Sequence, residues 1–437
     1  MHINSRSKTH LLIIGYVWPE PNSSAAGSRM LQLIKLFQQQ GWHITFASAA
    51  SQTEHKTDLT ALSVAEQNIQ LNNSSFDHYI KQLQPQIVLF DRFVTEEQYG
   101  WRVAEQCPEA LRIIDSEDLH SLREVRQTQL KAQLKIEKTT QQDHQVKTAN
   151  PQLLFLQMSA REQCQREIAA FYRSDLTLLI SEFEQKLLTE HFSLPAQLLH
   201  HTPFLLPPLK NKAELPPYAQ RQHFIHIGNF RHPPNWDAVL WLKEQIWPLI
   251  RQQLPQAELH IYGAYPPPKA TALHNIKQGF HVLGWAKDAH QVMQQARVCL
   301  APLRFGAGQK GKLIDAMQCG TPSVTSSIGT EAMAAGLPWG GIIANNPMEI
   351  AKAAVKLYKN EACWQQSQKK GFAILHAGYN TQQHGEALMI CINALRKNLS
   401  EHRQKNFIGR LLNQQTLKSH YYMAKWIEEK NRASNKP

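Results

Sequence analysis

Between Pro302 and Ser327 the chain reads PLRFGAGQKGKLIDAMQCGTPSVTSS, with four glycines, three cations (Arg304, Lys310, Lys312) and one carboxylate, Asp315. Gly306, Ala307 and Gly308 follow an apolar run, and Lys310, Lys312 and Asp315 precede a second one. A strand ending in glycines and opening into a helix presents free backbone N–H groups and the positive end of the helix dipole, and glycine admits a bulky anion close to the backbone. Phosphate binding is the chemistry this arrangement suits. Strand-to-helix turns also carry glycine merely to turn tightly, and spacing alone leaves both readings open. Cations at a helix start oppose the dipole and gain from an anion nearby, which favours the phosphate reading for one of the lysines, Lys310 first because it is nearer the loop. Asp315, three residues after Lys312, also fits a plain surface pair.

The elements that must position this loop are legible around it. ARVCLAPL reads as a buried strand, KGKLIDAMQ has helical spacing at Leu313, Ile314 and Met317, and PSVTSS reads as the next strand. The same alternation opens the chain: HLLIIGYV, a loop WPEPNSSAAGS, the amphipathic RMLQLIKLFQQQ, a stop at Gly41 and the strand WHITFASA form a βαβ unit. Strands are expected again at 86–91, 111–116 and 176–181, and in the second half at 223–228, 257–262, 281–283, 298–302 and 322–326. The fold class is therefore α/β, with two doubly wound Rossmann-like domains facing across a cleft.

The chain has 437 residues, about two domains' worth. The expected division is a first domain over 1–205 with a polar helical excursion at about 124–173, a linker over 206–222 rich in proline, a second domain over 223–385, and a basic amphipathic tail over 386–437. Six cysteines lie scattered without C-x-x-C spacing, which fits free thiols of a reducing compartment and gives no zinc site. The first apolar run is too short to span a bilayer, so a cytoplasmic location is expected. The formal charge of +12 admits anionic partners, and residues 395–437 hold ten Lys/Arg against three Asp/Glu. Phe407, Ile408, Leu411, Leu412, Tyr421, Tyr422 and Trp426 recur at helical spacing among these cations. Two uses of that tail stay open: docking on the first domain, or peripheral contact with an anionic membrane at its inner face. No nucleic-acid reading module appears, so no specific nucleic-acid partner is expected.

HIGNFRHPPNWDAVLWL, PQAELHIYGA and the run from His281 to Met333 together resemble the donor-binding half of the retaining glycosyltransferases of family 4, which have the GT-B fold. In the first half, P-x-P-x-x-x-x-A-G-S-R (Pro19 to Arg29) resembles that family's first loop, with Gly27 and Arg29. DSEDLHSLR (Asp115 to Arg123) resembles the segment that carries an active-site histidine, here His120. The resemblance implies transfer of a sugar from a nucleotide diphosphate sugar, with retention, to a carbohydrate or lipid-linked acceptor in glycan or polysaccharide biosynthesis. It implies no cofactor and no metal, and no D-x-D pair is present to hold one. The donor site implied comprises Gly228, Arg231, Asn235, Gly306, Ala307, Gly308, Lys310, Lys312 and Asp315, with Asp315 on the ribose. The family often has two glutamates eight positions apart here, and this chain has Ala307 and Asp315.

Bland readings accompany each residue. Asp115 or Ser116 fits a helix N-cap, Arg29 and Arg123 fit ion pairs as well as phosphate, and the Asn235 amide fits a turn brace. Two other functions fit the same architecture: a GT-B sugar-nucleotide epimerase, and a catalytically idle protein that binds nucleotide sugars as a scaffold. Incubation with donor alone separates the first, and failure to bind any nucleotide sugar singles out the second.

Overall fold

The computed structural model describes residues 9–140, 145–208 and 215–414, together with 422, 423 and 426. The first domain holds seven strands: β1 (His10–Gly15), β2 (His43–Ser48), β3 (Ala65–Asn68), β4 (Ile87–Asp91), β5 (Leu111–Asp115), β6 (Leu176–Leu179) and β7 (Leu199–His201). They lie in the order β3-β2-β1-β4-β5-β6-β7, all parallel. The second domain holds β8 (Gln222–Ile227), β9 (Leu259–Tyr262), β10 (Phe280–Gly284), β11 (Ala296–Ala301), β12 (Ser323–Thr325) and β13 (Gly341–Ile343). Their order is β10-β9-β8-β11-β12-β13, again all parallel.

Parallel strands need crossovers, and the helices that supply them cover both faces, so the central strands are buried throughout and mostly apolar: β4 and β5 are buried at every residue. The strand order reverses between β1 and β4 in one sheet and between β8 and β11 in the other. Open α/β sheets bind ligands beyond the C-terminal ends of their strands at such switch points. The loops that follow these four strands therefore define where a site belongs.

Between Glu124 and Arg173 the expected polar excursion is helical, with helices His120–Thr140, Pro151–Ser159 and Glu162–Arg173. It is not a free arm over its described residues. Leu154, Met158, Cys164, Ala170 and Phe171 enter the first domain's core. Val146 crosses over and packs in the second domain's core, its N–H donating to the Asn345 carbonyl at 2.8 Å.

The two domains also share a core. Ile180, Phe204 and Leu206 pack with Leu313, Ile314, Met317, Met333, Trp339 and Tyr379. The helix Thr381–Lys397 then returns to the first domain, where Leu388, Met389 and Ile392 are buried beside Leu33 and Phe37. That helix straddles residue 385, so the chain crosses back before the expected domain boundary. Strands β3, β7 and β13 add three sheet neighbours beyond the expected set. Residues 415–421 and most of those beyond, including Tyr421 of the expected amphipathic tail, lie outside the described residues, as do 209–214 of the linker.

Candidate active site

The loop Arg304–Lys310 follows β11 and meets the first domain directly. Gly308 has φ +60°, and a Cβ there would stand 2.8 Å from the Asp118 Cβ and 3.1 Å from the Glu117 carbonyl oxygen. Only glycine fits a left-handed residue so close to facing backbone. Its N–H donates to Glu184 Oε1 at 2.6 Å, across the domain boundary. The Gly306 carbonyl accepts from Arg126 Nη1 at 2.8 Å, and Arg126 also forms a bidentate pair with Glu331 at 2.8 and 2.7 Å. Ala307, where the resemblance implies a glutamate, is buried. Carboxylates reach this loop instead from Glu184 of the first domain and, through Arg126, from Glu331.

Lys310 and Lys312 part company. Lys310 is buried and its Nζ donates to the Gly308 carbonyl at 2.7 Å, so it braces the loop from within. The ammonium expected to be first for phosphate is thus turned into the protein by its own loop. Burial pulls it down to about 8, against the pull of Glu331 and Glu184. Lys312, the second residue of the helix Gly311–Gln318, reaches the bend after β8: its Nζ donates to Asn235 Oδ1 at 2.7 Å. Asn235 in turn donates to the Asn229 carbonyl at 2.9 Å, which shapes that bend. A Cβ on Gly228 would stand 2.6 Å from the Asn235 amide nitrogen and 2.8 Å from Lys312 Nζ, so a side chain there would occupy the space before the ammonium. Burial lowers Lys312 to about 8, and among the described residues it forms no salt bridge.

Arg231, exposed on the same bend, lays its guanidinium 3.6 Å over the Tyr265 ring, whose hydroxyl donates to Glu20 of the opposite domain at 2.8 Å. Asp315 faces His290 Nε2 at 3.4 Å, not Lys312. Both line a cavity of about 670 Å³ between the domains, with Pro21, Asn22 and Ser28 on its far wall. Asn22 Nδ2 donates to the Lys287 carbonyl at 3.1 Å across it.

His120 begins its helix at the end of the loop after β5. The imidazole sits 3.5 Å from Asp118 and edge-on to Phe93. Burial, helped by Arg123 and Arg92 and opposed by Asp118, pushes it down to about 4, so at neutral pH it is an uncharged ring. His232, on the second domain's bend, is lowered to about 4 by burial and by Arg123, with Lys312 adding to the effect. Asp118 pairs with Arg123; burial opposes its charge, yet Arg123 and His120 hold the carboxyl well below its usual range.

Three sequence expectations meet different neighbours here. Arg29 is buried and bidentate on Asp115, Nε to Oδ2 at 3.1 Å and Nη2 to Oδ1 at 2.8 Å, with Nη1 on the Thr202 and Pro203 carbonyls. It is a strut, buried on Asp115 and two backbone carbonyls. Gly27 lies against the Glu20 backbone, where a Cβ would stand 2.5 Å away. Neither Asp115 nor Ser116 caps the helix at His120, since Asp115 is taken by Arg29 and Ser116 Oγ donates to the Leu178 carbonyl. The cap is Glu167, which accepts the N–H groups of His120 at 2.8 Å and Ser121 at 3.1 Å. Burial raises Glu167 to about 7. Glu167, Glu184, Arg126 and Glu331 escape a reading by motif because their partners lie 46 to 205 positions away.

Residues 221–360 match the profile of the family described as glycosyl transferases group 1. The match lies within the second domain and spans about a third of the chain. A protein described as an uncharacterized 44.6 kDa protein in the cps region of Klebsiella pneumoniae is 22% identical over 236 residues, which span 52% of this chain and 58% of that relative's length. Among solved structures, sucrose-phosphate synthase from Thermosynechococcus elongatus aligns with a TM-score of 0.61 at 15% identity, covering 89% of this chain and 99% of that one. HepE from Anabaena, solved with UDP and glucose, aligns at 0.63 and 12% identity, covering 88% and 99%. At such identities the likeness is one of fold, and that fold is GT-B.

Proposed function

We propose that the chain is a glycosyltransferase that moves a sugar from a nucleotide diphosphate sugar to a carbohydrate or lipid-linked acceptor with retention of anomeric configuration, in glycan or polysaccharide biosynthesis. The observation that carries this reading is Lys312: a half-buried ammonium at a helix start, answered among the described residues by one neutral amide and kept open by Gly228. An anion placed there gains the ammonium and the helix dipole together. In this reading the diphosphate lies over Lys312 with Arg231 at its edge, and Asp315 and His290 take the ribose in the adjoining cavity. Charge developing on the leaving diphosphate is offset by these fixed groups, so the residues supply what a bound metal would otherwise supply.

The neutral His120 stands across from this point. An uncharged imidazole orients a sugar hydroxyl by hydrogen bonding, and a front-face transfer asks no separate base of it. The family match over residues 221–360 and the GT-B neighbours support transfer of a glycosyl group; HepE was solved with UDP and glucose, and a uridine donor is the first to test. The described residues include no helix long and apolar enough to cross a membrane. A thermal-shift panel of UDP, GDP, ADP and their sugars identifies the donor, because a ligand bound only by the native state raises its stability. Incubation with the donor alone then tells transferase from epimerase. A chain that binds none of the panel is not a nucleotide-sugar enzyme, and a chain that isomerises the donor without acceptor is an epimerase.

A further inference from the structure

At the other end of the second sheet, away from the cleft, three imidazoles (His223, His260 and His281) and a carboxylate gather at the beginnings of β8, β9 and β10. His281 on β10 is the direct register partner of His260 on β9, and Glu258 lies two residues before His260. Neighbours across a ladder and residues two apart along a strand share one face, so the three side chains project together. Their ligand atoms all lie within 4.8 Å of one another. His260 Nε2 is 3.0 Å from Glu258 Oε2, and His281 Nε2 is 3.9 Å from Glu258 Oε1. The rings of His260 and His281 stand at 76° with centroids 5.4 Å apart.

Two further observations bear on what this cluster is for. Among the described residues His281 Nε2 is buried with no hydrogen-bond partner, although buried nitrogens are rarely left so. His223 stacks on His260 at 3.9 Å while holding φ at +31°, a conformation rarely adopted by a residue with a side chain. The stack closes one side of the cluster and fixes the plane of the His260 ring. Glu258 is half exposed, so the open side faces solvent and an ion has a way in.

We propose that Glu258, His260 and His281 bind a divalent transition metal of the zinc class. Two imidazole nitrogens and a carboxylate oxygen are the donors such ions select, and the separations need to close only to the roughly 3.3 Å that tetrahedral coordination sets between ligands at about 2.0 Å from the metal. Calcium and magnesium, which demand oxygen ligands, do not fit this donor set. The site departs from the expectation of a metal-free chain, and it sits apart from the donor cleft. Because β10 is the edge strand of its sheet, the bound ion ties that edge to β9 and serves stability, not transfer.

The test uses the full chain without a histidine tag, treated with EDTA and then titrated with zinc chloride. One equivalent binds with a dissociation constant of about 10 µM or tighter, and the melting temperature rises by several degrees. His281→Gln and His260→Gln each weaken that binding at least tenfold. Glu258→Gln, at a half-exposed carboxylate, leaves the fold intact in EDTA and still lowers affinity several-fold, which keeps the test decisive if a histidine variant fails to fold. No zinc-dependent rise in the wild type overturns the site. So does binding of unchanged affinity and stoichiometry in all three variants, which would place the ion among the other histidines.

Discussion

Lys312 and Asp315 stand less than a turn apart on one helix yet answer different partners, and this difference decides what each contributes. Asp315 is partly exposed at a cavity wall with His290 beside it, so Asp315→Asn removes a charged acceptor without opening a core. A charge-assisted hydrogen bond exceeds a neutral one by about 1 kcal/mol, so affinity for the nucleoside diphosphate falls several-fold while the melting temperature of the free protein stays nearly unchanged. Titration calorimetry on both forms measures the first, and loss of stability without loss of affinity would take Asp315 out of the site. Lys312 makes a prediction about pH. Burial holds it near 8 in the free protein, and a bound diphosphate raises that value by favouring the charged form. Below pH 8 the ammonium is already in place and affinity is flat. Above it, binding must take up a proton, so affinity falls by up to tenfold for each pH unit. Lys312→Arg keeps its charge throughout and flattens the profile between pH 8 and 10. Lys310→Ala acts differently, because that ammonium braces the Gly308 carbonyl: it lowers the melting temperature, and a loss confined to diphosphate affinity would return Lys310 to the ligand.

At the scale of elements, the loop after β11 works because two domains hold it. Gly308→Ala places a Cβ within 2.8 Å of Asp118 and forces a left-handed alanine, a cost of about 1–2 kcal/mol before the clash is counted. The variant loses melting temperature and transfer rate together, and a wild-type rate in G308A would show that the closed contact is dispensable. Arg126 and Glu331 form the second clasp, with side chains 4% and 12% exposed. Breaking a buried pair from one side costs about 3–5 kcal/mol, because the remaining charge is left unanswered. The double variant Arg126→Met with Glu331→Gln is therefore less harmful than the sum of the two single variants, by a coupling of about 0.5–3 kcal/mol in a denaturation cycle. These clasps also mark where the sequence stops being readable. The central strands, the reversal of strand order and the glycine loop are legible because each is a local run of apolar or turn residues. β3, with the sequence AEQN, carries no apolar signal because it is an edge strand with exposed ends, and β7 and β13 are only three residues long. Lys310 and Lys312 look alike in sequence, and only the direction each side chain takes from the turn separates the one on the Gly308 carbonyl from the one on Asn235. Arg29 reads as a phosphate candidate until Asp115, 86 positions away, is seen to occupy it.

For the whole molecule, the C-terminal segment settles one of its two expected uses over the residues described and leaves a face for the other. The helices Leu399–Lys405 and Phe407–Asn413 dock on the first domain. Arg403 pairs with Asp175 at 2.8 Å, His402 meets the Asp175 carbonyl at 2.8 Å, and Asn406 donates to the Tyr172 carbonyl at 2.7 Å. Gly409 allows the second helix to lie flat, since a Cβ there would stand 2.1 Å from the Tyr172 carbonyl oxygen. Docking by that side turns Phe407, Ile408, Leu411 and Leu412 outward, all at least 40% exposed. An apolar row on a domain surface, within a segment carrying a surplus of seven positive charges, is complementary to an anionic bilayer: acyl chains receive the row and headgroups the cations. The proposal that acceptors are carbohydrate or lipid-linked gains from this, because a face that rests on a membrane would bring the cleft to lipid-linked acceptors. The protein is expected to sediment with vesicles of mixed neutral and anionic lipid at low salt, to release as salt screens the charge, and to ignore neutral vesicles. Ile408→Glu with Leu411→Glu changes two outward side chains, leaves the docked side untouched, and should abolish sedimentation while the melting temperature holds. Wild-type protein that stays in the supernatant with anionic vesicles, or a double variant that still sediments, would assign the outward row to something other than a bilayer.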